Sequence, residues 1–142
     1  MKKFLAIFLS VLICFTFLVG CATTVQTTTE PTLSDQQKQE ILTETLTETF
    51  AKLGDITLDE STKTFYLDVT LLGFDEMLLG AVFGKSKALE TWEKMVVSFQ
   101  NTSETIATVA PEYSFGLVDP RDSSEVLLLV RDGKIIYNFL DD

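Results

Sequence analysis

The chain has 142 residues with 11 basic and 21 acidic side chains, and it contains no histidine. This length suits one domain rather than two. The absence of histidine excludes a Ser-His-Asp triad and a His-liganded zinc site. Because the net charge of −10 repels phosphate groups, a nucleic-acid partner is not expected.

The start of the chain has the pattern of a secretory signal. Lys2 and Lys3 give it a positive charge, and an apolar run, Phe4–Val19, follows. This run is shorter than the ~20 residues that a transmembrane helix requires. We therefore predict that residues 1–20 are a signal peptide that is removed from the mature chain.

The residues that close this segment, Leu18-Val19-Gly20-Cys21, resemble the lipobox of bacterial lipoproteins. In such proteins the chain is cut before the cysteine, whose sulfur receives a diacylglyceryl group. The resemblance implies lipidation of Cys21 and a lipid anchor on the extracytoplasmic side of the cell membrane. Because Cys14 leaves with the signal, no disulfide is expected. Two lysines and no acids leave with it, so the net charge changes from −10 to −12.

The mature chain divides into a tether and a domain. Residues 22–31 are rich in threonine and lack an apolar period, which is typical of a flexible linker. We predict that residues 21–31 are the acylated cysteine and its tether. Residues 32–142 are then expected to fold as a single domain.

The domain begins with a helix and a hairpin. Ser34 and Gln37 fit a capping box, and apolar residues then recur at helical spacing, which predicts a helix over 34–53. Apolar and polar residues alternate in Thr64–Leu72, which predicts a strand with one buried face. This strand is expected to pair with the short run Ile56–Leu58.

The second half of the domain begins with a long helix. Its apolar stripe includes Trp92 and Phe99, and Pro111 ends it, which predicts a helix over about 87–109. Three strands are predicted to follow: Tyr113–Val118, Glu125–Arg131 and Lys134–Leu140. Asp132-Gly133 joins the last two and is typical of a two-residue hairpin.

The predicted order is therefore α-β-β-α-β-β-β. Packing of layers predicts an α+β domain in which an antiparallel sheet of four or five strands carries two amphipathic helices on one face. The main alternative is a cystatin-like arrangement, in which one helix crosses a curled sheet.

Several short segments of the domain carry a family resemblance. They are Thr64-Phe65-Tyr66-Leu67, Trp92 with Phe99 and Ser103, Leu117-Val118-Asp119-Pro120, Leu127-Leu128-Leu129, and Asp132-Gly133-Lys134 with Tyr137. In these segments the chain is similar to a group of small, uncharacterised lipoproteins of low-GC Gram-positive bacteria. The resemblance implies an exported, anchored α+β domain. It implies no activity, because each segment is structural rather than chemical.

The segment Gly73–Gly84 is apolar but follows neither a helical nor a strand period, and three glycines interrupt it. One interpretation is a buried plug between the sheet and the second helix. The other is an exposed apolar lip that binds a partner. On the second interpretation the candidate partner-binding residues are Met77, Leu78, Leu79, Val82 and Phe83.

Signatures of catalysis or metal binding are weak. Gly84-Lys85-Ser86 lacks the first glycine of a P-loop. Asp119, Asp122 and Glu125 do not follow the spacing of a calcium-binding EF-hand. We therefore expect no metal and no cofactor.

Two functions remain open from the sequence. The first is a membrane-anchored, extracytoplasmic lipoprotein that is not an enzyme: a monomeric binding module for an unidentified ligand, with an envelope protein as candidate partner. The alternative is a small carboxylate-dependent hydrolase acting at the cell envelope. Such an enzyme needs two carboxylates that face each other across ~5–9.5 Å.

Overall fold

Three helices and five strands make up the part of the chain, residues 33–141, that the computed structural model describes. The helices are α1 (Asp35–Phe50), α2 (Phe74–Val82) and α3 (Ser86–Val109). The strands are β1 (Gly54–Asp59), β2 (Thr64–Val69), β3 (Ser114–Asp119), β4 (Asp122–Arg131) and β5 (Lys134–Asn138). The predicted signal peptide (1–20), Cys21 and the tether (21–31) lie outside the described residues.

The capping box at the start of α1 is confirmed. The Ser34 hydroxyl accepts the Gln37 backbone N–H at 3.2 Å, and the Gln37 side-chain oxygen accepts the Ser34 N–H at 2.9 Å. These bonds satisfy donors that have no partner inside the helix. The helix then buries Leu42, Leu46 and Phe50 along one side, as its helical spacing predicts.

The sheet runs β1-β2-β3-β4-β5, in the order of the sequence. The predicted hairpin of β1 and β2 is confirmed, and β4 is antiparallel to both of its neighbours. The predicted all-antiparallel sheet is wrong at one place, because β2 and β3 are parallel. A parallel pair needs a long crossover, and α2 with α3 provides it. The α+β class and the five strands agree with the prediction.

One face of the sheet forms the core. Paired residues line up across β2, β3 and β4 in two rows that are almost fully buried: Phe65, Phe115 and Val130 in one, and Leu67, Leu117 and Leu128 in the other. Helices α1 and α3 cover this face. The rings of Phe50 in α1 and Phe99 in α3 both lie against that of Phe115, with centroids 5.3 and 4.6 Å away.

The predicted irregular connection Gly73–Gly84 is wrong, because this segment contains a third helix, α2. Phe74, Leu78 and Ala81 are its buried side, at positions i, i+4 and i+7. Gly80 is buried because α2 packs closely against α3. A Cβ added to Gly80 would lie 2.9 Å from the Cβ of Ala88, so glycine permits this close approach.

The turn between β4 and β5 is the predicted two-residue hairpin. Asp132 and Gly133 have φ values of 49° and 71°, both in the left-handed region. Two successive positive φ values define the turn type that matches the twist of paired strands. The prediction from Asp132-Gly133 is therefore confirmed.

Candidate functional site

A cleft of about 330 Å³ lies between α2 and the strands β4 and β5. It has an apolar wall and a charged rim. The wall consists of Leu78, Leu79, Val82, Val126, Leu127, Tyr137 and Phe139, and the rim of Asp119, Arg121 and Glu125.

The apolar wall is anchored to the core. Leu78 is only 2% exposed, so the α2 side of the cleft begins at a core residue. On the other side, the Phe139 ring meets the buried Trp92 ring edge to face, with centroids 4.8 Å apart. The Trp92 indole N–H also donates to the Asn138 side-chain oxygen at 3.1 Å. The wall is therefore held by α3 rather than by loops alone.

The rim contains a bidentate ion pair. The Arg121 guanidinium donates from Nε to Asp119 Oδ1 at 2.9 Å and from Nη2 to Asp119 Oδ2 at 2.5 Å. These hydrogen bonds hold the pKa of the buried Asp119 carboxyl below its usual range, although burial opposes the effect. They also raise the pKa of Arg121. Asp119 and Arg121 thus neutralise each other at physiological pH.

Glu125 differs from Asp119 because its charge is not compensated. Its side chain is exposed, and within residues 33–141 its carboxylate forms no ion pair or hydrogen bond. The cleft therefore presents one unpaired negative charge beside its apolar wall.

The solvent-facing side of α2 continues the apolar wall outwards. Leu79, Val82 and Phe83 are 45%, 58% and 76% exposed, and Leu72, just before the helix, is 93% exposed. Asp75 and Glu76, in the first turn, share this side of the helix. We call these six residues the α2 outer face. Large apolar side chains so concentrated at the surface are typical of an interaction site.

The structure divides the five candidate partner-binding residues. Leu78 is a core residue, so its assignment to an exposed lip is wrong: the i, i+4 spacing with Phe74 turns it inwards. Met77 is half-buried. Leu79, Val82 and Phe83 are exposed, and the first two line the cleft. Their role in binding stays a prediction.

Sequence reasoning missed the opposite wall of the cleft. Val126, Tyr137 and Phe139 lie more than 40 positions after α2, and only the fold brings them to it. One signal was present: Tyr137 follows two isoleucines in a short strand, which is more apolar than an edge strand usually is.

The acidic residues at the junction of β3 and β4 are held by hydrogen bonds. Asp119 is bound to Arg121, and the Asp122 carboxylate accepts from the Ser124 hydroxyl at 2.6 Å and its N–H at 3.0 Å. The Ser124 hydroxyl is the main reason that the pKa of Asp122 is lowered. In the described part of the chain, no three His, Cys, Asp or Glu residues come together in a way that could hold a metal ion.

No protein-family model, curated protein or solved structure matches the chain. Among the helices of residues 33–141, none has both the length and the apolar character needed to cross a membrane.

Proposed function

We propose that the protein is a lipoprotein anchored through Cys21 on the extracytoplasmic side of the membrane, and that its domain is a non-catalytic module that binds a partner. The observation that carries the proposal is the exposed apolar surface of α2, which runs directly into the cleft. Leu79 and Val82 belong both to this exposed surface and to the lining of the cleft.

The physical support comes from the cost of exposed apolar surface. Each Å² of apolar area removed from water contributes ~25 cal/mol, so an uncovered Phe83 beside Val82 favours association. Leu78 and Ala81 hold α2 to the core through its other side. The exposed side chains are therefore presented on a fixed helix, and little ordering is required when a partner binds.

Asp119 is not suited to be the general acid of the hydrolase alternative. Glycoside hydrolysis by carboxylates uses one acid whose pKa is raised, so that it stays protonated until it donates. The Arg121 side chain has the opposite effect on Asp119, since it lowers the pKa of that carboxyl. With Asp119 bound to Arg121, Glu125 is left as the single unpaired carboxylate among the described residues that line the cleft.

The anchor is proposed from the residues Leu18-Val19-Gly20-Cys21 and the basic, apolar segment before them. A flexible tether of ten residues has an r.m.s. span of ~17–19 Å. The binding surface would then stay close to the membrane, where envelope proteins are its accessible partners.

Metabolic labelling with a fatty-acid probe tests the anchor. The Cys21→Ala variant should carry no label and keep its signal segment, because the acylated sulfur is gone. Cys14→Ala is the matched control and should be labelled like the parent, since residue 14 lies in the removed segment. Equal labelling of Cys21→Ala and the parent would refute the anchor.

Pull-down from detergent-solubilised membranes tests the binding module. The full chain should recover a partner that the Leu79→Ser/Phe83→Ser double variant does not. Val97→Ser is the control, because Val97 is 54% exposed and lies on α3. Recovery of the same proteins by all three chains would show that the α2 outer face is not the binding surface.

A further inference from the structure

The α2 outer face combines apolar and acidic groups. Leu79 lies one turn after Asp75, so this apolar side chain has an acidic neighbour along the helix, and Phe83 lies on the same side two turns after Glu76. Both carboxylates are exposed. A partner that covers the apolar side chains must therefore also approach two negative charges.

The rim of the cleft adds to this negative charge. Glu125 is exposed and unpaired among the described residues, whereas Arg121 is bound to Asp119. Asp75 is near enough to Arg121 to contribute, after the larger effect of Asp119, to its raised pKa. Carboxylates thus stand on both sides of the cleft, and Arg121, the one cation on its rim among residues 33–141, already has a partner.

The positive charges that directly follow α2 in the sequence are two lysines. Lys85 and Lys87 lie after α2, at the start of α3, and are exposed. The acidic groups lie instead at the start of α2 (Asp75 and Glu76) and near the start of β4 (Glu125). The surface is therefore acidic over the cleft and the first turn of α2, and apolar from Leu79 to Phe83.

Because this surface combines apolar and acidic groups, and on the basis of the proposed function, we infer that the cleft binds a cationic amphipathic peptide segment. The apolar side chains of that segment lie on Leu79, Val82 and Phe83, and its lysine or arginine side chains lie beside Asp75, Glu76 and Glu125. The apolar contacts supply most of the affinity, and the opposite charges orient the segment and accelerate its encounter.

Other occupants fit the charges less well. An anionic lipid surface or a nucleic acid would meet repulsion from these three carboxylates. A second copy of the chain would bring a second acidic face against the first, since the whole chain carries a net charge of −10. Because these like charges would face each other, they disfavour the association of two copies.

Fluorescence anisotropy with synthetic peptides tests the inference. The probe is a labelled peptide of leucine and lysine, about 14 residues long, in which the leucines share one helical face. One control peptide has the same composition without an apolar face, and a second has glutamate in place of lysine. The full chain is used in a non-ionic detergent, and binding to protein-free micelles is subtracted.

We expect the leucine–lysine peptide to bind at least about tenfold more tightly than either control, and the affinity to fall as salt screens the charges. Val82→Ser and Glu125→Lys should each weaken binding by about fivefold or more, a change of ~1 kcal/mol. Both residues are exposed, so the variants should fold, and their melting temperatures check this. Val97→Ser on α3 and Glu60→Lys in the β1–β2 turn are the matched controls and should bind like the parent.

Equal affinity for the lysine and glutamate peptides would overturn the inference, and so would equal affinity of the parent, Val82→Ser and Glu125→Lys. A chain that binds none of the peptides, or that forms a dimer disrupted by Val82→Ser, would overturn it too. The proposed function would still stand in those cases if the membrane pull-down recovers a partner that depends on Leu79 and Phe83.

Discussion

The hydroxyl of Ser103 joins α3 to the β4–β5 turn: it accepts the backbone N–H of Gly133 at 2.9 Å and donates to the Gln100 carbonyl at 2.8 Å. The Gln100 side chain donates in turn to the Gly133 carbonyl at 2.7 Å. Trp92 makes a similar link from the other end of α3 to Asn138. Helix α3 thus holds the hairpin whose last residues form one wall of the cleft.

Replacement of Ser103 by alanine should destabilise the domain by about 1–3 kcal/mol, because the Gly133 N–H would lose its acceptor next to a fully buried position. Chemical denaturation measures the change. Thr108→Ala is the matched control on the same helix: its exposed hydroxyl donates only to the Thr105 carbonyl, and the change should stay within ~0.5 kcal/mol. Equal losses for the two variants would mean that the link to Gly133 contributes nothing.

Replacement of Gly133 by alanine should destabilise the domain more than replacement of Gly84. Both glycines have a left-handed φ, 71° and 69°, which costs alanine ~1–2 kcal/mol. A Cβ on Gly133 would also lie 2.8 Å from Cγ of Glu104, whereas one on Gly84 would meet nothing within 4 Å.

Thermal denaturation of the two variants measures this difference. Adding Glu104→Ala to Gly133→Ala should remove the clash and bring the loss of stability close to that of Gly84→Ala. If Gly133→Ala alone already matches Gly84→Ala, the Glu104 side chain moves aside at no cost and the expected clash does not occur.

Local signals in the sequence were sufficient for much of the fold. The capping box at Ser34 depends on two residues three positions apart. The hairpin at Asp132-Gly133 depends on two adjacent residues that can both adopt a positive φ. The burial of Trp92 follows from the apolar stripe of one helix. In each case the determining contacts are close in the sequence, and the prediction is confirmed.

The errors arose where distant segments determine the structure. Gly80 interrupts the apolar period of α2. A glycine occupies this position because Ala88 of the next helix lies against it. The parallel pairing of β2 with β3 depends on how the chain crosses the sheet, although the long connection Thr70–Tyr113 was a signal for it. The side of α2 that faces the core could be assigned only once its helical period was known.

The Asp119–Arg121 ion pair predicts a pH dependence of stability. Arg121 lowers the folded-state pKa of Asp119, so the pair stabilises the fold above the unfolded-state pKa of about 3.9. This stabilisation is lost as the pH falls through the lowered folded-state value. Asp119→Asn should therefore reduce the stability at neutral pH and flatten its decline in acid.

Denaturation curves at a series of pH values, at low salt, measure the effect. Arg121→Gln removes the largest cause of the shift, while the backbone N–H of residue 121 still donates to Asp119, so it should flatten most of the acid decline that Asp119→Asn flattens. The double variant should behave like Asp119→Asn alone. Because Arg121 is half exposed, high salt should weaken the contribution. An unchanged pH profile in Arg121→Gln would contradict the assignment.

The two sides of α2 should respond in opposite ways to substitution. Leu78→Ala should cost about 2–5 kcal/mol, since it leaves a cavity beneath a side chain that is 2% exposed. Leu79→Ser/Phe83→Ser should change the free energy of unfolding by less than about 1 kcal/mol, because both side chains already face water.

Denaturation measures stability, and the membrane pull-down measures binding. Retention of the partner by a stable Leu79→Ser/Phe83→Ser chain would separate the exposed side from function. A loss of several kcal/mol in that chain would mean instead that Gly73–Gly84 is a plug of the core.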